Sequence, residues 1–172
     1  MGTRSLVILS SSRKDSNTKI LVQKLFNGLE NIEFLDLLDY KINHYHYQGK
    51  YAKSDQFLKV IEKVLYFDAI IFATPVYWYA MSGLLKVFFD RLTDIVTIQK
   101  PLGSKMKGKN IFLISVGTDP ELPPGFEIPF QFTANYFEMN FIDSYYCTTE
   151  NVKRNLPDTK PFLNNIKSSF IK

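Results

Sequence analysis

The sequence predicts an α/β fold: a doubly wound sheet of five parallel strands with helices on both faces. Two observations carry this. Strand-like and helix-like segments alternate along the whole chain. Three of the strands are unbroken apolar runs, as expected where helices cover both faces of a sheet. The 172 residues suit a single domain, 1–172, with one well-filled core.

The elements follow in order. The first strand is Leu6–Leu9. A helix over Thr18–Leu29 comes next, because Leu21, Val22, Leu25, Phe26 and Leu29 recur at helical spacing. Ile32–Leu37 is the second strand. The second helix is Ser54–Tyr66, with Ser54 as its cap and Phe57, Leu58, Ile61, Val64 and Leu65 as its core face. Ala69–Thr74 is the third strand. The helix Met81–Leu92 carries a core stripe of Met81, Leu84, Leu85, Phe88, Phe89 and Leu92, and Asp90 and Arg91 read as a structural ion pair at its end. The basic stretch Lys100 to Lys109 contains Gly and Ser and reads as a solvated loop. The fourth strand is Ile111–Val116. Helix Ile128–Phe137, strand Asn140–Thr148 and helix Asp158–Phe170 complete the pattern. Asp158 is placed as the last cap, with Pro161 tolerated in the first turn. There is no internal repeat and no linker.

Chemistry concentrates in two loops. Ser10-Ser-Ser-Arg-Lys-Asp-Ser-Asn-Thr18 leaves a strand and enters a helix. Unpaired N–H groups and the positive end of the helix dipole favour an anion there, and hydroxyls with an Arg fork suit a phosphate. The loop has neither the G-x-G-x-x-G of dinucleotide folds nor the G-K-[ST] of a P-loop. The second loop, Pro75-Val-Tyr-Trp-Tyr79, puts flat side chains and free backbone N–H groups at a carboxyl strand end, where open α/β sheets bind ligands. It suits a large planar ring with a hydrogen-bonding edge. Both loops have plainer readings. The first is also what an ordinary helix cap looks like. The second is also what a dimer anchor looks like, since interfaces favour Tyr and Trp. Two further loops, Tyr40 to Lys53 and Gly117 to Phe126, are longer than connection requires, and all four are expected on the carboxyl edge.

Composition removes several function classes. A net charge of +4 with dispersed Lys and Arg argues against nucleic-acid binding. No apolar run is long enough for a membrane span. No N-terminal signal segment is read, and a cytoplasmic location is expected. The one cysteine, Cys147, precludes an internal disulfide and a cysteine-based zinc site. It reads as an inert strand residue. His44 and His46 alternate on a loop without a third ligand, so no metal is assigned.

The two loops together resemble the NAD(P)H-dependent FMN reductases of flavodoxin-like fold. Ser10-Ser-Ser-Arg-Lys-Asp-Ser-Asn-Thr18 is similar to their G-S-P-R-x-x-G-N-T phosphate loop. Pro75-Val-Tyr-Trp78 is similar to their P-V-Y-W flavin loop. Ser82-Gly-Leu-Leu-Lys-Val-Phe-Phe-Asp-Arg91 resembles the S-G-x-L-K-x-x-x-D-R that follows, and Lys107-Gly-Lys109 also matches. The likeness spans Leu6 to about Gly117. It implies a flavodoxin-like three-layer α/β/α sandwich with a five-stranded parallel sheet, FMN as cofactor, and NADPH or NADH as co-substrate. It implies that Ser11, Arg13, Ser16, Asn17 and Thr18 hold the phosphate. Pro75, Val76, Tyr77 and Trp78 would hold the isoalloxazine, partly through backbone N–H groups, and Gly117 and Thr118 would approach it.

The sequence departs from the pattern at Ser10 (Gly in the family), Ser12 (Pro) and Gly117-Thr-Asp-Pro120. It also lacks the cysteine cluster of iron–sulfur relatives. The expected activity is hydride transfer from nicotinamide to FMN and on to a small oxidised acceptor: a quinone, nitroaromatic, azo compound or flavin. No catalytic side chain is named, because the cofactor carries the chemistry. A flavodoxin-type electron carrier is the rival, and the basic charge opposes it because such carriers tend to be acidic. A scaffold that has lost flavin is a third reading. Fifteen Phe and ten Tyr exceed what one small core absorbs, which together with the resemblance predicts a homodimer. Phe126, Phe130, Phe132, Tyr136, Phe137 and Tyr45 or Tyr47 are placed near its interface.

Overall fold

The computed structural model describes residues 4–169; Phe170, where the last helix is expected to end, lies outside them. Five strands, β1 (Ser5–Leu9), β2 (Ile32–Asp36), β3 (Ala69–Pro75), β4 (Asn110–Gly117) and β5 (Asn140–Thr148), form one sheet in the order β2-β1-β3-β4-β5. Every neighbouring pair is parallel. The helices are α1 (Asn17–Leu25), α2 (Phe57–Leu65), α3 (Gly83–Thr97), α4 (Lys100–Ser104), α5 (Ile128–Tyr136), α6 (Thr149–Lys153) and α7 (Lys160–Ser168). The predicted α/β/α sandwich is the observed fold.

Alternation along the strands builds two cores. Leu6, Ile8, Ile70, Phe72, Ile111 and Leu113 pack with α2, α3 and α5 on one face. Val7, Leu9, Ile71, Phe112, Ile114 and Val116 pack with α1, α6 and α7 on the other. The chain leaves β1 towards β2, then returns past β1 to β3. The sheet therefore reverses winding between β1 and β3, and their carboxyl ends flank the crevice where such sheets bind ligands.

Several boundaries move for local reasons. α1 stops four residues early because Gly28 takes a left-handed turn, φ 73°. α3 runs on to Thr97, since Ile95 continues the stripe of Leu85, Phe88 and Leu92. Ser54 does not cap α2. The helix begins at Phe57, whose N–H donates to the Asp55 carboxylate. Asp158 accepts from the Lys160 N–H, at the start of the last helix. The stretch Lys100 to Lys109 is not a solvated loop. Its first half is α4, docked so closely that a Cβ on Gly103 would sit 2.4 Å from the Ile95 carbonyl. Lys109 at its end is buried and donates to the Leu65 and Phe67 carbonyls.

Asp90 and Arg91 do not pair with each other. Asp90 pairs with Lys86 on the surface. Arg91 is 1% exposed and binds Asp55 and Asp94. This changes the course of the long loop after β2. Arg91 donates to the Asn43 carbonyl and stacks 3.5 Å from the centre of the Tyr51 ring, and the Tyr51 hydroxyl donates to Asp94. The loop is thereby drawn along α3 to its far end, where Gly49 meets Ile98. α3 runs antiparallel to the strands, so this part of the loop leaves the carboxyl edge, contrary to expectation.

Candidate functional site

The phosphate-type loop is organised by hydroxyls. Ser16 caps α1, accepting from the Lys19 N–H, and donates to Ser11. Ser11 in turn donates to the Arg13 carbonyl. Ser11 is fully buried and shapes the loop from behind. Arg13 has its side chain 65% exposed, with only a long contact of 3.5 Å to Asp15. Lys14 is turned away, bound to Asp36 and Asp39, which hold its ammonium above the ordinary value. Arg13 is thus the cation left at the entrance of α1, where first-turn N–H groups favour an anion.

The aromatic loop is a two-residue hairpin. Tyr77 and Ala80 exchange backbone bonds of 2.9 and 3.1 Å. Its tip residues are both left-handed, Trp78 at φ 49° and Tyr79 at φ 61°. Primed turns need this geometry, and bulky residues rarely adopt it. The hairpin alters one expectation. Pro75 has no N–H, and those of Val76 and Tyr77 are taken by the Val116 and Ala80 carbonyls. Backbone donors from this loop can come only from its tip.

A buried hydroxyl cluster joins the roots of the two loops. Ser82 caps α3 and donates to the Ser10 carbonyl at 2.6 Å. Its own N–H donates to Thr74, and the Ser10 hydroxyl donates to the Ala73 carbonyl. The serine standing at the family's first glycine therefore points into the protein, and it leaves the crevice clear.

Between the loops lies a cleft of about 310 Å³, lined by Ser12, Arg13, Ser16, Asn17, Thr18, Pro75, Val76, Tyr77, Val116, Gly117, Thr118 and Thr149. Nine of the predicted site residues share this wall. Ser11 lies behind it. Trp78 is off it, 94% exposed at the hairpin tip. Sequence reasoning missed Ser12, Val116 and Thr149; Thr149 follows the outermost strand β5, where no motif signals a site. Gly117 has a second reason to be glycine. A Cβ there would lie 2.6 Å from the Tyr146 hydroxyl, which donates to the Asp119 carbonyl and pins the loop after β4. Burial pushes the Tyr146 phenol up, with the Asp119 charge adding to it, so it stays protonated as a donor. Burial likewise raises the Cys147 thiol, which keeps it unreactive.

The sequence profile of the NADPH-dependent FMN reductases matches residues 3–121, a span that holds both loops and the hydroxyl cluster. The chain belongs to this family. The resemblance carried by the two motifs is borne out, and with it FMN as the family's cofactor. YwqN of Bacillus subtilis (strain 168), whose name provisionally makes it an NAD(P)H-dependent FMN-containing oxidoreductase, is 34% identical over 122 residues, 66% of each chain. The chain spans two-thirds or less of the length of the curated relatives it matches. Solved structures share the flavodoxin-like fold. Trp repressor binding protein from Bacillus subtilis has a TM-score of 0.67 at 24% identity, covering 98% of both chains. General stress protein 14 from Treponema denticola, solved in complex with FMN, has a TM-score of 0.65 at 16% identity, covering 96% of this chain and 99% of that one.

Away from the cleft between the two loops, a cavity of about 240 Å³ lies against Tyr51, Asp55, Arg91 and Asp94. There Arg91 binds both carboxylates and the Tyr51 hydroxyl donates to Asp94. Among the described residues no group of three or more His, Cys, Asp or Glu could hold a metal, and no helix is long and apolar enough to cross a membrane. His44 and His46 are exposed, and His46 Nδ1 accepts from the Gln48 N–H.

Proposed function

We propose that this chain is an FMN-dependent NAD(P)H oxidoreductase. The observation that carries the reading is the cleft at the winding reversal, lined on one side by the loop entering α1 and on the other by Pro75, Val76 and Tyr77. Its donor set fits FMN. Arg13, with Ser16, Asn17 and Thr18 at the start of α1, holds the phosphate, and Ser11 fixes the turn that presents them. Pro75, Val76 and Tyr77 wall the isoalloxazine, Trp78 and Tyr79 flank it at the hairpin tip, and Gly117 and Thr118 close the opposite side. Bound FMN supplies the hydride acceptor and the electron donor. The protein's share is to orient the ring, exclude water from its inner face and leave the outer face open to a nicotinamide. No side chain is required as acid or nucleophile. The acceptor class is a small oxidised compound: a quinone, nitroaromatic, azo compound or flavin.

The same reading includes a homodimer. Ile128, Phe132 and Tyr136 recur at every fourth residue of α5 and are 48%, 69% and 68% exposed, an apolar stripe without cover. A groove beside it is lined by Phe89, Leu92 and Val96 of α3. The lone free thiol and nicotinamide dependence suit the cytoplasm.

An absorbance spectrum with and without FMN, followed by NADPH under anaerobic conditions, tests the activity. The expected result is a perturbed flavin spectrum that bleaches on NADPH addition. A colourless protein that leaves added FMN unperturbed overturns the reading. Flavin that binds without bleaching favours an electron carrier.

A further inference from the structure

Side chains of the two site loops touch. Ser12 Oγ lies 3.0 Å from the Tyr77 hydroxyl, and both residues line the cleft. Ser12 stands where the family motif has proline, so this contact is a feature of this chain rather than of the motif. We infer that the Ser12–Tyr77 hydrogen bond is a strap across the mouth of the cleft that controls the rate of flavin entry and exit. The inference rests on the FMN reading above.

Three observations support it. The first is position. A ligand with its phosphate at the start of α1 and its ring against Pro75–Tyr77 bridges the two loops that the bond joins. The bond stands beside the path of such a ligand, because both its residues line the cleft. The second is what lies beneath. The cleft keeps about 310 Å³ with the bond made, within the range of small-molecule sites, so the strap spans the space and does not fill it. The bond is thus compatible with a ligand lying beneath it. The third is the contrast between the loop roots and this side-chain bond. The loop roots are locked by Ser10, Thr74 and Ser82, all buried. The Tyr77 backbone is locked by its paired bonds to Ala80. The Ser12–Tyr77 bond is neutral and exposed, the kind that water competes for and that opens readily. Opening needs only side-chain rotation, with no movement of either loop.

A strap made in both the free and the bound state slows association and dissociation alike and leaves affinity unchanged. A contact that merely held the ligand would slow dissociation alone. The test is stopped-flow FMN binding to apoprotein, read by flavin fluorescence, for wild type, Ser12→Ala, Tyr77→Phe and the double variant. The expected result for Ser12→Ala is that both rate constants rise by roughly 2- to 10-fold, the range set by the weight of an exposed hydrogen bond, while Kd moves less than about twofold. Tyr77→Phe raises association similarly, and the double variant adds nothing further, because either change alone opens the strap. Ser12→Ala with unchanged rate constants, or with dissociation raised alone and affinity lost, overturns the strap while FMN binding stands. Wild-type protein that binds no FMN overturns the parent reading and the strap with it.

Discussion

At the scale of single residues, two arginines divide function from structure. Arg13 is exposed beside the start of α1, and its nearby Lys14 is already neutralised by two aspartates. A phosphate in the cleft would find Arg13 as its charged partner. Arg13→Ala should weaken FMN by about 1.5–3 kcal/mol, the weight of a charge-assisted bond, and leave riboflavin, which lacks the phosphate, almost unaffected. Parallel titration of both flavins into apoprotein measures this. Equal losses would mean that Arg13 does not read the phosphate.

Arg91 is the opposite case: buried, bonded to two carboxylates, and remote from the cleft. Removing it strands Asp55 and Asp94 in the interior, so Arg91→Ala should cost about 3–5 kcal/mol in chemical denaturation. The same network sets an acid limit. Burial pushes the Asp55 carboxyl up, but the Arg91 fork and the N–H groups of Asn43 and Phe57 outweigh it, and the group sits below its ordinary value. In the unfolded chain it returns to about 4. The unfolded state therefore binds the proton first as pH falls. The stability that Asp55 confers is complete above about pH 5 and fades through pH 4 and below. Asp55→Asn should flatten this part of the stability–pH curve. A variant curve parallel to wild type would show that Asp55 does not contribute there.

At the scale of elements, the hairpin at 77–80 carries the clearest local conflict. Two aromatic residues hold left-handed angles that Asn and Gly adopt far more readily. Trp78→Asn with Tyr79→Gly should relieve about 1–2 kcal/mol of backbone strain and raise the urea midpoint. The same change strips the aromatic tip from the site, so FMN affinity should fall. A lower midpoint would show that the aromatics are held by contacts that outweigh the turn.

Elements also show what the sequence makes legible. All five strands and five of the seven α-helices among the described residues are legible, three strands as unbroken apolar runs and the helices through apolar positions near a 3.6-residue period; the short α4 and α6 are not. α4 was hidden, since five residues with Pro and Gly have no period and depend on docking against α3. The displaced start of α2 was hidden for a related reason. Asp55 is held by Arg91, thirty-six positions away, and local capping rules cannot see that bond. In the site, nine residues were readable because two short motifs sit at adjacent strand ends. Thr149 was not, because β5 meets the cleft only through sheet order. The occupied N–H groups of Val76 and Tyr77 were not, because they depend on pairing with β4 and on the hairpin closing.

At the scale of the whole molecule, the aromatic surplus resolves into two populations. Phe126, Phe130 and Phe137 are 4%, 1% and 8% exposed and belong to the core around Phe72 and Phe88. They are not free for an interface, contrary to the sequence expectation. The helix could absorb so many because Phe126 and Phe137 lie just outside its two ends and turn inward there. Phe132 and Tyr136 remain outside, with Ile128, in one stripe. Tyr47 is 93% exposed but stands on the loop after β2, stacked only on Tyr45. The candidate contact between two copies therefore narrows to the outer face of α5 and the groove towards α3. A stripe of this kind is self-complementary when two copies meet about a twofold axis, because each residue faces its own equivalent or a near neighbour. Charged groups placed on it would have to be desolvated for the two copies to meet, and the apolar surface that drives the contact would be gone. Phe132→Glu combined with Tyr136→Lys removes the apolar surface while keeping the net charge of this solvent-facing surface, so folding should be little affected. Light scattering at micromolar concentration should give a dimer mass for wild type and a monomer mass for the variant, with the circular dichroism spectrum unchanged. A wild-type monomer that persists with FMN bound would dispose of the dimer and leave the stripe to a different partner.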